Sequence, residues 1–169
     1  RIYAEVLGGS SNSGGQRSGG SMTAPNPVGV MRCIDIALKE ANINPRDIDL
    51  VSGHLTATMA DKYEVQNWSQ VLGRSGKDFP YINSIKSMIG HSLSAAGSIE
   101  SIACILQIIH GFVHPNINLE DPNPEILDII SSDSIPTKMI NKEINTVAKA
   151  NFGFGDVNSC LIFSKYNNQ

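Results

Sequence analysis

The sequence predicts an α/β layered domain on a mixed, mostly parallel five-stranded sheet, with an antiparallel last strand and a buried helix. Three observations predict it. Strand-like segments alternate with helix-like segments along the whole chain. The last two strand-like segments, 146–151 and 159–165, are joined by a Gly-Phe-Gly turn too short for the crossover that a parallel pair requires. Residues 92–110 are apolar nearly all round, through Ile99, Ile102, Ala103, Leu106 and Ile109, as in a helix held between layers.

The elements follow in order. Residues 1–7 alternate like a strand already under way, as in a piece of a longer protein. Residues 8–20, rich in Gly and Ser, bury too little apolar surface to order themselves and are expected to form a mobile loop. Pro25 and Pro27 lead into a helix with Met31, Ile34, Leu38 and Ala41 on its apolar face, and Asn44-Pro45 ends it. Residues 48–52 read as a short buried strand with His54 at its C-terminal end. Residues 61–72 read as an amphipathic helix offering Tyr63, Trp68, Val71 and Leu72 to the core. Residues 80–84 form the next strand, followed by Lys86 and His91, and residues 115–124 an irregular surface segment. No internal repeat or long linker divides the chain, so residues 1–169 are expected to form one domain.

Composition excludes several classes. The net charge is −3 with no basic cluster, which argues against a nucleic-acid surface. The longest uncharged apolar stretch, 101–109, falls short of the ~20 residues of a membrane span. No signal peptide is apparent. Cys33, Cys104 and Cys160 are odd in number and widely spaced in apolar patterns, which favours buried, reduced thiols and a reducing compartment such as the cytoplasm. His110 and His114 lack matching ligands nearby and read as helix-end and surface residues, so no metal or redox cofactor is expected.

In open α/β sheets function collects at the C-terminal ends of strands, and three motifs sit there. His54-Leu-Thr-Ala-Thr58 can bring a ring N–H and two hydroxyls to one pocket edge, or be a satisfied histidine in a Thr-rich turn. Residues 83–91 carry Lys86 and His91 and lead into a small-residue stretch at 94–97. A histidine there would feel a positive helix end, which favours neutral imidazole. Lys86 reads either as a snorkelling surface lysine or as a buried one that needs a partner. Residues 151–158 place glycines around Phe154, either to aim a backbone N–H into a pocket or simply to turn a hairpin.

In order and content these motifs resemble the thiolase-like condensing enzymes, specifically the β-ketoacyl synthases. That family has His-Gly-Thr-x-Thr, Lys-x-x-x-Gly-His and Asn-x-Gly-Phe-Gly-Gly-x-Asn segments. Here they read His54-Leu-Thr-Ala-Thr, Lys86-Ser-Met-Ile-Gly-His and Asn151-Phe-Gly-Phe-Gly-Asp-Val-Asn. Residues 22–27, 94–97 and 114–122 match as well, so the likeness covers nearly the whole chain as the C-terminal half of such an enzyme.

The resemblance implies decarboxylative condensation of a malonyl thioester with a cysteine-bound acyl chain in fatty acid or polyketide synthesis. It assigns His54 and His91 to enolate stabilisation, with Lys86 supporting them electrostatically and Glu100 as the partner of Lys86. It assigns Thr56 and Thr58 to the pantetheine arm, and Phe154 to the gate and oxyanion hole. It implies substrates carried on the phosphopantetheine of acyl carrier protein, no further cofactor, and a homodimer formed largely through an N-terminal half absent here. The nucleophilic cysteine belongs to that half, so this chain alone is expected to be inactive. A chain-length-factor-like partner subunit is the alternative; retention of both histidines and the lysine argues against it. A thiolase would need a second cysteine in a glycine-rich loop, which is missing. Three departures stand out: Leu55 and Ala57 are expected to crowd the pantetheine entrance, the turn after Thr58 is one residue short, and Asp156 is expected to add a carboxylate near the substrate channel.

Overall fold

A computed structural model describes residues 1–17 and 19–167. Its central sheet has five strands: β1 (Glu5–Ser13), β2 (Leu50–Ser52), β3 (Tyr81–Asn83), β6 (Thr146–Gly153) and β7 (Val157–Ser164). Their order is β1-β7-β6-β2-β3; β2 runs parallel to β3 and β6, while β7 is antiparallel to both of its neighbours. Four strands therefore share one direction and the last opposes them. A small second sheet pairs β4 (Phe112–Val113) with β5 (Ile140–Asn141).

Helices α1 (Pro27–Glu40) and α2 (Asp61–Leu72) cover one face of the sheet, and α4 (Ala96–His110) covers the other. Short helices α3 (Lys86–Ile89) and α5 (Pro124–Leu127) lie in the connections. The larger core joins Ile34, Leu38 and Trp68 to Val51, Ala148, Ala150 and Phe152; the smaller joins Cys104 and Ile108 to Leu50, Val147 and Phe163. Strand β6 serves both because successive side chains point to opposite faces. Helix α1 starts where sequence chemistry places a start: Asn26 Oδ1 accepts the N–H of Val28 at 2.9 Å, and Pro27 opens the first turn.

Residues 8–13, expected in a mobile loop, are instead the second half of β1, paired in register with β7. A Cβ on Gly8 would lie 2.5 Å from the backbone nitrogen of Ala41. Glycine there permits close helix-to-strand approach rather than disorder. The loop begins at Gly14; its Ser18 lies outside the described residues.

Other expectations change with packing. Tyr63 is exposed on α2 rather than in the core, whereas Trp68 is fully buried. His114 is buried, not superficial, with Nδ1 3.0 Å from the carbonyl of Pro115. Helix α4 buries only one side. That side holds Glu100, Cys104, Gln107 and Ile108, while Ile102 and Leu106 are exposed on the other. The segment Leu93–His110 is long and apolar enough to cross a membrane by length and composition, yet its Glu100 is tied by ion pairs to lysines of the sheet side.

Candidate active site

Strand β2 ends at Ser52, and residues 54–57 turn away with four successive backbone N–H groups that no strand partner accepts. The first turns of α2 supply the acceptors. Glu64 takes the N–H of His54 at 2.7 Å and of Leu55 at 2.9 Å; Asp61 takes those of Thr56 at 2.9 Å and Ala57 at 3.0 Å. Two carboxylates thus shape the whole loop, which lets Ala57 sit at φ 57°, a conformation unfavourable to residues with a Cβ. Glu64 is buried, and burial pushes its carboxyl up to about 7, against the downward pull of its backbone donors.

The loop delivers His54 to a cavity of about 850 Å³. Thr56, Thr58, His91 and Phe154 line the same cavity, with Thr23 to Pro25 and Tyr63 on other walls. The two imidazoles stand edge to face, their centroids 5.3 Å apart at 79°. Phe152 packs edge-on against His54 at 6.2 Å. The hydroxyls of Thr56 and Thr58 are 3.1 Å apart. Phe154 is 72% exposed at the tip of the β6–β7 turn.

His91 follows α3, and its Nδ1 accepts the N–H of Leu93 at 2.9 Å. That bond makes Nδ1 an acceptor, so the neutral ring carries its proton on Nε2. The Leu93 N–H opens a 3-10 turn, Leu93–Ala95, that runs directly into α4 at Ala96. For His54, burial first, and then the charges of Lys86, Lys149 and His91, push the imidazole down to about 3. It is neutral at physiological pH.

Lys86 and Glu100 lie behind this cavity and do not line it. Both are buried and form an ion pair. Glu100 has a second cation: Lys149 Nζ lies 2.6 Å from its Oε2. Burial pulls the Lys86 ammonium down in pKa. Burial opposes ionisation of Glu100 as well, but the two lysines and Asn151 outweigh it and hold the carboxyl below its usual range. Neither Lys149 nor Asn151 was assigned a role by the sequence reading. The available signal was a lysine at the centre of a strand otherwise reading as buried, where a charge needs a partner.

The departures fall in unexpected places. Leu55 and Ala57 line an adjoining cavity of about 300 Å³ that shares Thr56, Asp61 and His91 with the larger one. Asp156 is fully buried and turned from the channel; its carboxylate accepts the N–H groups of Gln16 at 2.9 Å and Asn26 at 2.7 Å. Its φ of 64° explains how an aspartate takes a glycine position, since Asp tolerates the left-handed region better than most residues. Cys33, Cys104 and Cys160 are buried with thiols raised by burial, and none lines the cavity. None can accept an acyl chain there.

This arrangement can stabilise a negative oxygen. Two imidazoles reach one cavity, His54 as the neutral ring and His91 with Nδ1 held as an acceptor and Nε2 free to donate, and buried lysines lie behind them.

Residues 3–120 match the family described as Beta-ketoacyl synthase, C-terminal domain. The chain is 38% identical over 168 residues to a chloroplastic 3-oxoacyl-(acyl-carrier-protein) synthase I of Hordeum vulgare, covering 98% of this chain and 34% of that protein. The chain thus spans about a third of the length of the curated relatives it matches. Among solved structures it superposes on the ishigamide ketosynthase/chain length factor with TM-score 0.87 and 34% identity, over 99% of this chain and 39% of that one. It superposes with TM-score 0.85 and 35% identity, over 99% of this chain and 40% of that one, on a type II polyketide ketosynthase bound to the hexaketide and in complex with its acyl-carrier protein.

Proposed function

This chain belongs to the β-ketoacyl synthase family through its C-terminal domain, and from that membership we propose that it supplies the enolate-stabilising half of a decarboxylative condensing enzyme. The observation that carries the proposal is the histidine pair, two rings 5.3 Å apart on the cavity that Thr56, Thr58 and Phe154 also line. A malonyl thioester carried on acyl carrier protein would enter with its pantetheine arm along Thr56 and Thr58. Loss of carbon dioxide leaves an enolate whose oxygen takes hydrogen bonds from His54 and His91. The carbanion carbon then attacks an acyl thioester on cysteine, forming the β-ketoacyl product and releasing the cysteine thiolate. Removing one such oxyanion donor typically slows a reaction ~10²–10³-fold.

Since no cysteine of this chain reaches the cavity, the nucleophile is supplied by protein outside it, as an N-terminal half would. The exposed apolar side of α4, with Ile102 and Leu106, is the face such a half would cover. Phe154, exposed at the cavity rim, fits the gate, with its own backbone N–H contributing to the oxyanion hole for the acyl thioester.

The test is malonyl-carrier-protein decarboxylation and condensation by the full-length protein and its His91→Ala variant. Wild-type activity that is lost in the variant supports the proposal. Absence of both activities in wild type, with carrier protein and any partner subunit supplied, rejects it in favour of a chain-length-factor-like subunit.

A further inference from the structure

The alternation of β6 sends Val147, Lys149 and Asn151 to the α4 side of the sheet, where Glu100 waits. A lysine ammonium donates hydrogen bonds and never accepts them. Lys149 Nζ donates to Asn151 Oδ1 at 2.8 Å and to the carbonyl of Ala150, and pairs with Glu100 Oε2 at 2.6 Å. An amide whose oxygen is held by an ammonium must turn its nitrogen the other way. Asn151 Nδ2 accordingly donates to Glu100 Oε2 at 2.9 Å and faces His54 Nδ1 at 3.5 Å. Facing a donor, Nδ1 is an acceptor, so the proton of the neutral ring resides on Nε2.

We infer that Lys149 is a positioning residue for His54: by gripping Glu100 and the Asn151 oxygen, it fixes His54 as the neutral tautomer that donates from Nε2. This rests on the reading of His54 as an oxyanion donor. The His54 backbone N–H, a local candidate donor to Nδ1, is spent on Glu64.

Charge acts in the same direction. Glu100 faces two lysines rather than one, so Lys149 adds its repulsion to that of Lys86 beside His54. The charged and titratable groups around the ring are Lys86 on α3, Glu100 on α4, Lys149 on β6, Glu64 and Asp61 on α2, and His91. Of these, Lys86, Lys149 and His91 disfavour a proton on the ring, and Glu100 favours one. Without Lys149, Glu100 keeps Lys86 and the Asn151 amide, while the Asn151 oxygen loses its donor and the side chain is held on one side only.

The test uses the full-length protein and two readouts. Imidazole 15N chemical shifts of His54, assigned by their loss in His54→Ala, tell a ring protonated on Nε2 from one protonated on Nδ1 whatever the protein's activity. Malonyl-carrier-protein decarboxylation is the second readout. Wild type is expected to show the Nε2-protonated ring. Lys149→Met is expected to show proton density on Nδ1 as well, with decarboxylation falling toward the ~10²–10³-fold loss of a missing oxyanion donor, and Lys149→Arg should restore both. Asn151→Asp, isosteric and able to keep its bond to Lys149, sets an acceptor against Nδ1 and should draw the proton there; it decides the matter if Lys149→Met does not fold. Wild-type shifts in the folded variants overturn the inference. A wild type that does not decarboxylate overturns the functional reading instead, and the His54 shifts still decide the role of Lys149.

Discussion

Asp156 Oδ1 accepts the backbone N–H of Asn26 at 2.7 Å, joining the tip of the β6–β7 turn to the residue that caps α1. The other oxygen takes the N–H of Gln16, the Asp156 carbonyl takes that of Gly14 at 2.8 Å, and Gly155 donates to the carbonyl of Met22 at 2.9 Å. Both walls of the cavity mouth, residues 23–25 and Phe152 to Phe154, are therefore clasped together.

Asp156→Ala is expected to lower stability by about 3–6 kcal/mol. It strands two backbone donors that now bond to a charged group, worth about 1.5–3 kcal/mol each, and it keeps the unfavourable φ. Asp156→Gly relieves the backbone strain and should lose about 1 kcal/mol less. Chemical denaturation gives the ordering, and faster amide exchange confined to residues 14–26 would localise the effect.

Glu100 joins two buried lysines, and removing it leaves two uncompensated charges. Glu100→Gln is expected to cost about 3–5 kcal/mol, the usual penalty for breaking a buried pair. Adding Lys149→Met should recover part of that loss. A double-mutant cycle by denaturation checks this coupling, which should exceed about 0.5 kcal/mol for residues in direct contact.

Glu64 titrates in a useful window. Its folded value is raised to about 7 by burial, above the ordinary 4.5, so the folded state holds the proton more tightly than the unfolded state. Its contribution to stability is then fully present below about pH 4.5 and is lost as pH rises through about 7, an amount on the order of 3 kcal/mol. Glu64→Gln should flatten the pH dependence of the unfolding free energy across that window. An unchanged slope would mean that water or relaxation offsets the burial.

The outer side of α4 separates two states of the molecule. If Ile102 and Leu106 pack against the remainder of the protein, Ile102→Glu should destabilise the full-length protein by about 2 kcal/mol or more, through loss of an apolar contact and burial of a charge. A surface substitution without such a partner changes stability by within about 0.5 kcal/mol. Thermal unfolding of the variant distinguishes the two.

Much of the fold was legible because it rests on local pattern. Helix α2 spans the 61–72 that its periodicity predicts, and the short turn between the closing strands forces their antiparallel pairing. The glycines at 8 and 9 misled because composition does not tell a disordered segment from a strand lying against its neighbours; only the approach of Ala41 to Gly8 and of Leu161 to Gly9 decides. Asp156 was misplaced for a related reason: which way a side chain leaves a left-handed turn depends on partners 130 and 140 residues away in sequence.

The sequence by itself determined the strand and helix succession and the three motifs that bring His54, His91, Lys86, Thr56, Thr58 and Phe154 to strand ends, because periodicity and turn chemistry act over a few residues. Tertiary structure alone decided that Glu100 bonds two lysines, that Asn151 turns its nitrogen toward His54, and that carboxylates of α2 hold the histidine loop. Those contacts join β2, α2, α3, α4 and β6, and a buried charge finds its partner only when the sheet places those elements around one point.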